Sequence, residues 1–119
     1  MATTSNIKYK VEVIDSGAVN EQNGNGIWYY KKWSNGDFEY YLYIANKTTT
    51  GQAIAVTIVY PITFTSLPCV WPAHMTSWIG GHIEELSSDY NTTSGCRIIM
   101  KTTAADTFDI AVYVQGRWK

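Results

Sequence analysis

The chain has 119 residues and a formal net charge of −1. That is enough for one hydrophobic core and too little for two, and no whole-molecule field draws it onto DNA or an anionic membrane. Hydrophobic residues make up 45% and charged residues only 16%, which excludes a disordered chain; nine Tyr and nine Gly among many Thr favour an all-β protein.

Period-two alternation recurs along the chain and helical spacing does not. Residues 7–14, IKYKVEVI, set Ile7, Tyr9, Val11 and Val13 against Lys8, Lys10 and Glu12, and read as a strand. Residues 15–26, DSGAVNEQNGNG, are polar and turn-rich and read as a loop or linker. This sets residues 1–24 apart from a domain over residues 25–119. Residues 27–33 and 37–45 are two strands around Ser34-Asn35-Gly36-Asp37. A central Asn-Gly favours a type I′ turn, since both central residues take positive φ.

NKTTTG (46–51) reads as a polar turn, and 52–60 as a strand that Pro61 ends or confines to an edge. PITFTSLPCVWPA runs on extended, punctuated by Pro68 and Pro72. SWIGGHIEEL (77–86) bends at Gly80-Gly81, and SSDYNTTSG (87–95) is a polar loop. Residues 96–102 and 107–115 are the last strands; Phe108, Ile110, Val112 and Val114 alternate with Thr107, Asp109, Tyr113 and Gln115. This series of short strands with regular turns predicts an antiparallel, jelly-roll-like β-sandwich.

A two-residue Asn35-Gly36 loop would pair Trp33 with Phe38 and Lys32 with Glu39, and opposed residues share a face. Ile27, Tyr29, Lys31 and Trp33 then join Phe38, Tyr40, Leu42 and Ile44 on the more apolar face, assigned to the core. Trp28, Tyr30 and Lys32 join Glu39, Tyr41 and Tyr43 on the other. That second face is too aromatic for open water, so it is read as a subunit interface, with Lys32 and Glu39 holding its register.

Cys69 and Cys96 are the two cysteines. A disulfide is open, and two small buried thiols are the simpler reading. No Cys-x-x-Cys pair and no Cys/His spacing marks a zinc site. The N-terminus lacks the apolar centre of a secretory signal, and no apolar run reaches membrane-span length. The expectation is synthesis in a cytoplasm without membrane insertion.

The segment GIWYYKKWSNGDFEYY resembles one near the ends of bacteriophage and prophage tail-fibre and baseplate proteins. The matching positions are Gly26, Ile27, Trp28, Tyr30, Lys31, Lys32, Trp33, Gly36 and Glu39. YPITFTSLPCVWPA is similar to that family's Pro-x-x-Phe-x-x-x-Pro segment, at Pro61, Phe64, Thr65, Ser66 and Pro68. The closing Gly116-Arg117-Trp118-Lys119 matches the family's usual ending. Order and spacing agree over roughly residues 20–119, while HMTSWIGGHIEELSSDYNTTSG has no counterpart. Phe38 and Tyr40 stand where the family often has a small residue or Cys, and Leu42 where it often has Gly. The resemblance implies a receptor-binding tip domain, a homotrimer carried on a shaft, located in the virion tail and made in the cytoplasm of the bacterial host.

The residues give little support to catalysis. Adjacent Glu84 and Glu85 point to opposite faces of a strand and do not flank one bond. His74 and His82 carry no metal-site spacing. Lys31 and Lys32 are too few for a nucleic-acid surface. Sugar binding needs aromatic faces beside short polar groups. The candidates for contact with a host-surface polysaccharide are Trp71, His74, Trp78, His82, Asp89, Tyr90 and Asn91, in and around the unmatched stretch where variable loops on a constant scaffold carry specificity. The function expected is non-covalent glycan binding with no cofactor. A fibre-capping trimer module without receptor contact is the alternative, and a small glycan-processing enzyme a weaker one.

Overall fold

The computed structural model describes residues 11–49, 53–74, 83–103 and 106–119. Within them the alternating pattern forms eight antiparallel strands: β1 (Val13–Asn20), β2 (Ile27–Trp33), β3 (Asp37–Thr49), β4 (Ile54–Val59), β5 (Cys69–His74), β6 (Ile83–Asp89), β7 (Gly95–Thr102) and β8 (Asp106–Arg117). A five-stranded sheet runs β1-β2-β3-β8-β5, and a three-stranded sheet runs β4-β7-β6. Their inner faces make one core, the predicted β-sandwich. Ile110, Val112 and Val114 of β8 and Cys96, Ile98 and Met100 of β7 are its regular inward positions. The expected strand start at Ile7 and the Gly80-Gly81 bend lie outside the described residues.

The β2–β3 hairpin is paired one residue away from the expected register. Trp28 faces Leu42, Tyr30 faces Tyr40, Lys31 faces Glu39 and Lys32 faces Phe38. The turn explains the shift. The Gly36 N–H donates to the Trp33 carbonyl at 3.1 Å and the Asp37 N–H to Asn35 Oδ1 at 3.0 Å. Gly36 takes φ 102° and Asn35 stays out of the positive region, so the type I′ turn is replaced by a three-residue loop with a glycine at its left-handed position. A slip of one residue exchanges every face of the strand. β3 buries Phe38, Tyr40, Leu42 and Ile44 as expected, but β2 turns over: Trp28 is 0% exposed and Tyr29 55%.

The expected linker is also corrected. Asp15–Asn20 belong to β1, which pairs with β2 along its length, so the sheet continues across the boundary drawn at residue 24. Every side chain of β1 is exposed. A strand that buries neither face shows no apolar alternation, and its backbone pairing is invisible in its composition. The loop after it is pinned by Glu21, which is 3% exposed. Its Oε1 accepts the Val59 N–H at 2.9 Å, and its Oε2 accepts the N–H groups of Asn23 at 2.7 Å and Asn25 at 3.1 Å. Backbone donors thus satisfy a buried carboxylate and tie the loop to the opposite sheet.

Smaller differences follow from neighbours in space. β3 runs through Thr49, past the start of the turn expected at 46–51, and β6 takes the first residues of the loop expected at 87–95. Pro72 sits inside β5, which among the described residues pairs only with β8, an edge where a missing N–H is tolerated. Both cysteines are free thiols, Cys96 buried and Cys69 exposed; the disulfide is absent and only one thiol is buried.

Candidate functional site

The hairpin turn, the segment around Phe64 and residues 116–118 meet at one end of the sandwich. Arg117 donates from Nη1 to Asp37 Oδ1 at 3.0 Å and from Nη2 to the Asn35 carbonyl at 2.6 Å. The Trp118 N–H bonds the Gly36 carbonyl at 2.9 Å, and its indole N–H bonds the Trp33 carbonyl at 2.9 Å. The Thr65 N–H reaches the Arg117 carbonyl at 2.9 Å. The Phe64 ring lies where a Cβ on Gly116 would stand, and meets Tyr40 and Tyr60 edge-on at 5.8 and 5.4 Å. These residues clamp the hairpin turn, the 60–68 crossover and the chain end together. Their work is structural.

A second feature is the outer face of the five-stranded sheet. Strand pairing sets Ala18, Tyr29, Tyr41, Tyr113 and Trp71 in one row across all five strands. Trp71 and Tyr113 touch at a centroid distance of 5.3 Å, and Trp71 is 49% exposed. The next row is polar: Ser16, Lys31, Glu39, Gln115 and Cys69. Burial first, and then the neighbouring Glu39 carboxylate, raise the Tyr113 phenol above its ordinary range. A shallow cleft of about 150 Å³ opens beside Tyr29, Lys31, Glu39, Tyr41 and Tyr113. Tyr43, on the same face, donates to Asp109 Oδ2 at 2.5 Å.

Of the expected interface residues, Glu39, Tyr41 and Tyr43 therefore stand on this outer face and Trp28, Tyr30 and Lys32 do not. Trp28 is core, its indole N–H donating to the Val59 carbonyl at 3.3 Å. Tyr30 packs on the core and reaches Asp15 Oδ2 at 3.3 Å. Lys32 covers the Trp118 ring at 4.2 Å, so the expected Lys32–Glu39 pairing is absent from the register. Tyr29 was placed inward by the wrong turn, and its outward position follows once the loop has three residues.

The expected sugar-contact residues that are described fall in two places. Trp71 and the exposed His74 lie on β5 of the larger sheet, while Asp89, Tyr90 and Asn91 close the β6–β7 turn of the smaller one. Trp78 and His82 lie outside the described residues. At the turn, Arg97 donates from Nε to Asp89 Oδ1 at 2.7 Å and from Nη2 to Oδ2 at 2.5 Å. The Arg97 hydrogen bonds are the largest influence on the Asp89 carboxyl and hold it below the usual carboxylate range. The Arg97 guanidinium lies over the Tyr90 ring, 4.4 Å from its centroid. Tyr90 is 72% exposed with φ 47°, the only non-glycine with positive φ among the described residues. Asn91 donates to Ser88 Oγ at 3.4 Å. Thr57, Tyr90, Ser94 and Arg97 line a cleft of about 410 Å³ here. Arg97 was missed by the sequence reading; its position opposite Asp89 depends on the β6–β7 register.

Glu84 pairs with Lys101 at 3.2 Å and Glu85 accepts from Ser87 at 2.9 Å. No group of three or more metal-ligating side chains forms among the described residues. No helix among them is long and apolar enough to cross a membrane.

No protein-family model and no curated protein matches the chain. Solved structures do. The N-truncated R1-type pyocin tail fibre aligns with a TM-score of 0.60 and 18% identity, over 97% of this chain and 93% of that one. The fragment of the P. aeruginosa R1 pyocin fibre comprising its C-terminal residues 323–701 aligns with a TM-score of 0.59 and 18% identity. It is covered over 94% of this chain and 30% of its own length. The chain thus has the fold of a pyocin tail-fibre domain.

Proposed function

We propose that the chain is the tip domain of a phage-like or pyocin-like tail fibre, carried as a homotrimer in the tail, which binds a bacterial surface polysaccharide without covalent chemistry. The observation that carries this reading is the fold match to a tail-fibre structure over 97% of the chain. The tail-fibre motifs noted in the sequence support it, because they converge on one structural clamp. They tie the scaffold together, and contact with a receptor falls to groups outside the clamp. Self-association is supported by the row Tyr29, Tyr41, Tyr113 and Trp71, an aromatic surface flanked by polar residues, the make-up of a subunit contact. Three copies multiply a weak sugar contact through effective concentration.

The test is adsorption of the labelled domain to intact bacteria of several strains, with the free surface polysaccharide as competitor. The reading expects strain-selective adsorption that the polysaccharide reverses. A stable trimer that adsorbs to no strain favours the capping module, for which the same aromatic row is the supporting observation.

A further inference from the structure

We infer that the β6–β7 turn forms a subsite for one neutral pyranose unit of a polysaccharide, with the outer face of the Tyr90 ring as its floor. This rests on the polysaccharide-binding reading above. An exposed tyrosine in the left-handed region is uncommon, because an L side chain is strained there. Glycine or asparagine would take such a turn position more readily; the tyrosine keeps it with one ring face packed on Arg97.

The surroundings explain what holds the ring. One face is against Arg97, and Arg97 is fixed by the two-point bond to Asp89. Both groups are anchored on paired strand positions. The next turn is set by Thr92, whose Oγ1 accepts the N–H groups of Ser94 at 3.2 Å and Gly95 at 3.1 Å. The ring is therefore presented on a rigid support with its second face toward solvent, and pre-organisation of this kind lowers the ordering cost of binding.

The ligand class follows from the charges and donors. Asp89 already neutralises Arg97, so the site offers no net cation to an acidic sugar. An apolar ring face suits the C–H face of a pyranose. Thr57 and Ser94 also line the cleft, and side chains of this type suit sugar hydroxyls. Its volume of about 410 Å³ is in the range of small-ligand sites.

The experiment is an NMR titration of the full chain with methyl glycosides of glucose, mannose and galactose. Alongside it, binding of the adsorbing strain's surface polysaccharide is measured for wild type, Tyr90→Gly, Tyr90→Phe and Trp71→Ala. The expected result is that at least one glycoside shifts the amides of residues 90–97. Tyr90→Gly weakens polysaccharide binding about ten-fold or more with Tm unchanged or higher, since glycine accepts this φ. Tyr90→Phe keeps affinity within about three-fold, as stacking requires. Polysaccharide binding that survives Tyr90→Gly but is lost in Trp71→Ala overturns the subsite and leaves the function standing. If neither glycoside nor polysaccharide perturbs wild type, the function falls and the subsite with it.

Discussion

Trp28 joins the two sheets in one side chain. Its ring is buried against Tyr40 at 5.5 Å and Tyr60 at 6.2 Å, and its N–H reaches across to Val59. Trp28→Ala therefore costs about 3–5 kcal/mol of stability, read by urea unfolding; a loss below about 1 kcal/mol would place the ring outside the core. Tyr60 behaves differently. Its hydroxyl is buried beside the Cys96 thiol, with no nitrogen or oxygen partner among the described residues, and burial drives the phenol far above its ordinary range. Removing a hydroxyl that has only the weak sulfur of Cys96 beside it, while keeping the ring, is close to neutral, so Tyr60→Phe changes the unfolding free energy by less than about 1 kcal/mol. A loss beyond about 1 kcal/mol would reveal a hydrogen bond on that hydroxyl. Gly116→Ala puts a methyl group into the space of the Phe64 ring, which Tyr40 and Tyr60 hem in. Overpacking there costs about 1–3 kcal/mol in the same assay, and an unchanged midpoint would show that Phe64 moves aside freely.

The hairpin and the β6–β7 turn show what was legible in the sequence and what was not. Strands β2, β3, β4, β7 and β8 and the inward set of β3 were readable, because alternation carries them. The faces of β2 were not, because they hang on whether the turn has two residues or three. Asn35-Gly36 suits the two-residue turn, but the bonds that Arg117 and Trp118 make to Asn35 and Gly36 come from the far end of the chain, and no local rule contains them. β1 was read as a linker because its pairing is purely backbone. The described candidates for sugar contact are neighbours in sequence, but Trp71 and His74 lie on the larger sheet and Asp89–Asn91 on the smaller one. Asp89 and Tyr90 were legible as candidates, but Arg97, which links them, required the register. That linkage has a pH signature. Arg97 lowers the Asp89 carboxyl below its ordinary value of 3.8. The pair's contribution is therefore fully present above that value and is lost as pH falls through the folded-state pKa. Comparing thermal unfolding of wild type and Asp89→Asn, the gap between them narrows on acidification through this range. A gap that stays constant would mean that the carboxylate contributes nothing through its charge.

At the scale of the molecule, the clamp and the β6–β7 turn adjoin, since the Phe64 N–H donates to the Thr93 carbonyl at 2.9 Å. The clamp of Trp33–Gly36, Phe64–Thr65 and Gly116–Trp118 closes one end, the aromatic row faces outward from the larger sheet, and the Tyr90 turn belongs to the smaller sheet. Tyr41→Glu places a charge at the middle of the aromatic row without entering the core. If the chain self-associates as proposed, this change converts it to monomer in sedimentation velocity while thermal unfolding remains cooperative; an unchanged oligomer would put the contact elsewhere. The reading as a whole is tested most directly by calorimetric titration of the chain with polysaccharide purified from the surface of a bacterium to which it adsorbs. The account predicts saturable binding by the folded, unmodified chain, with the polysaccharide recovered intact. A folded trimer that binds none of the sugar, or that shortens it, would contradict the account.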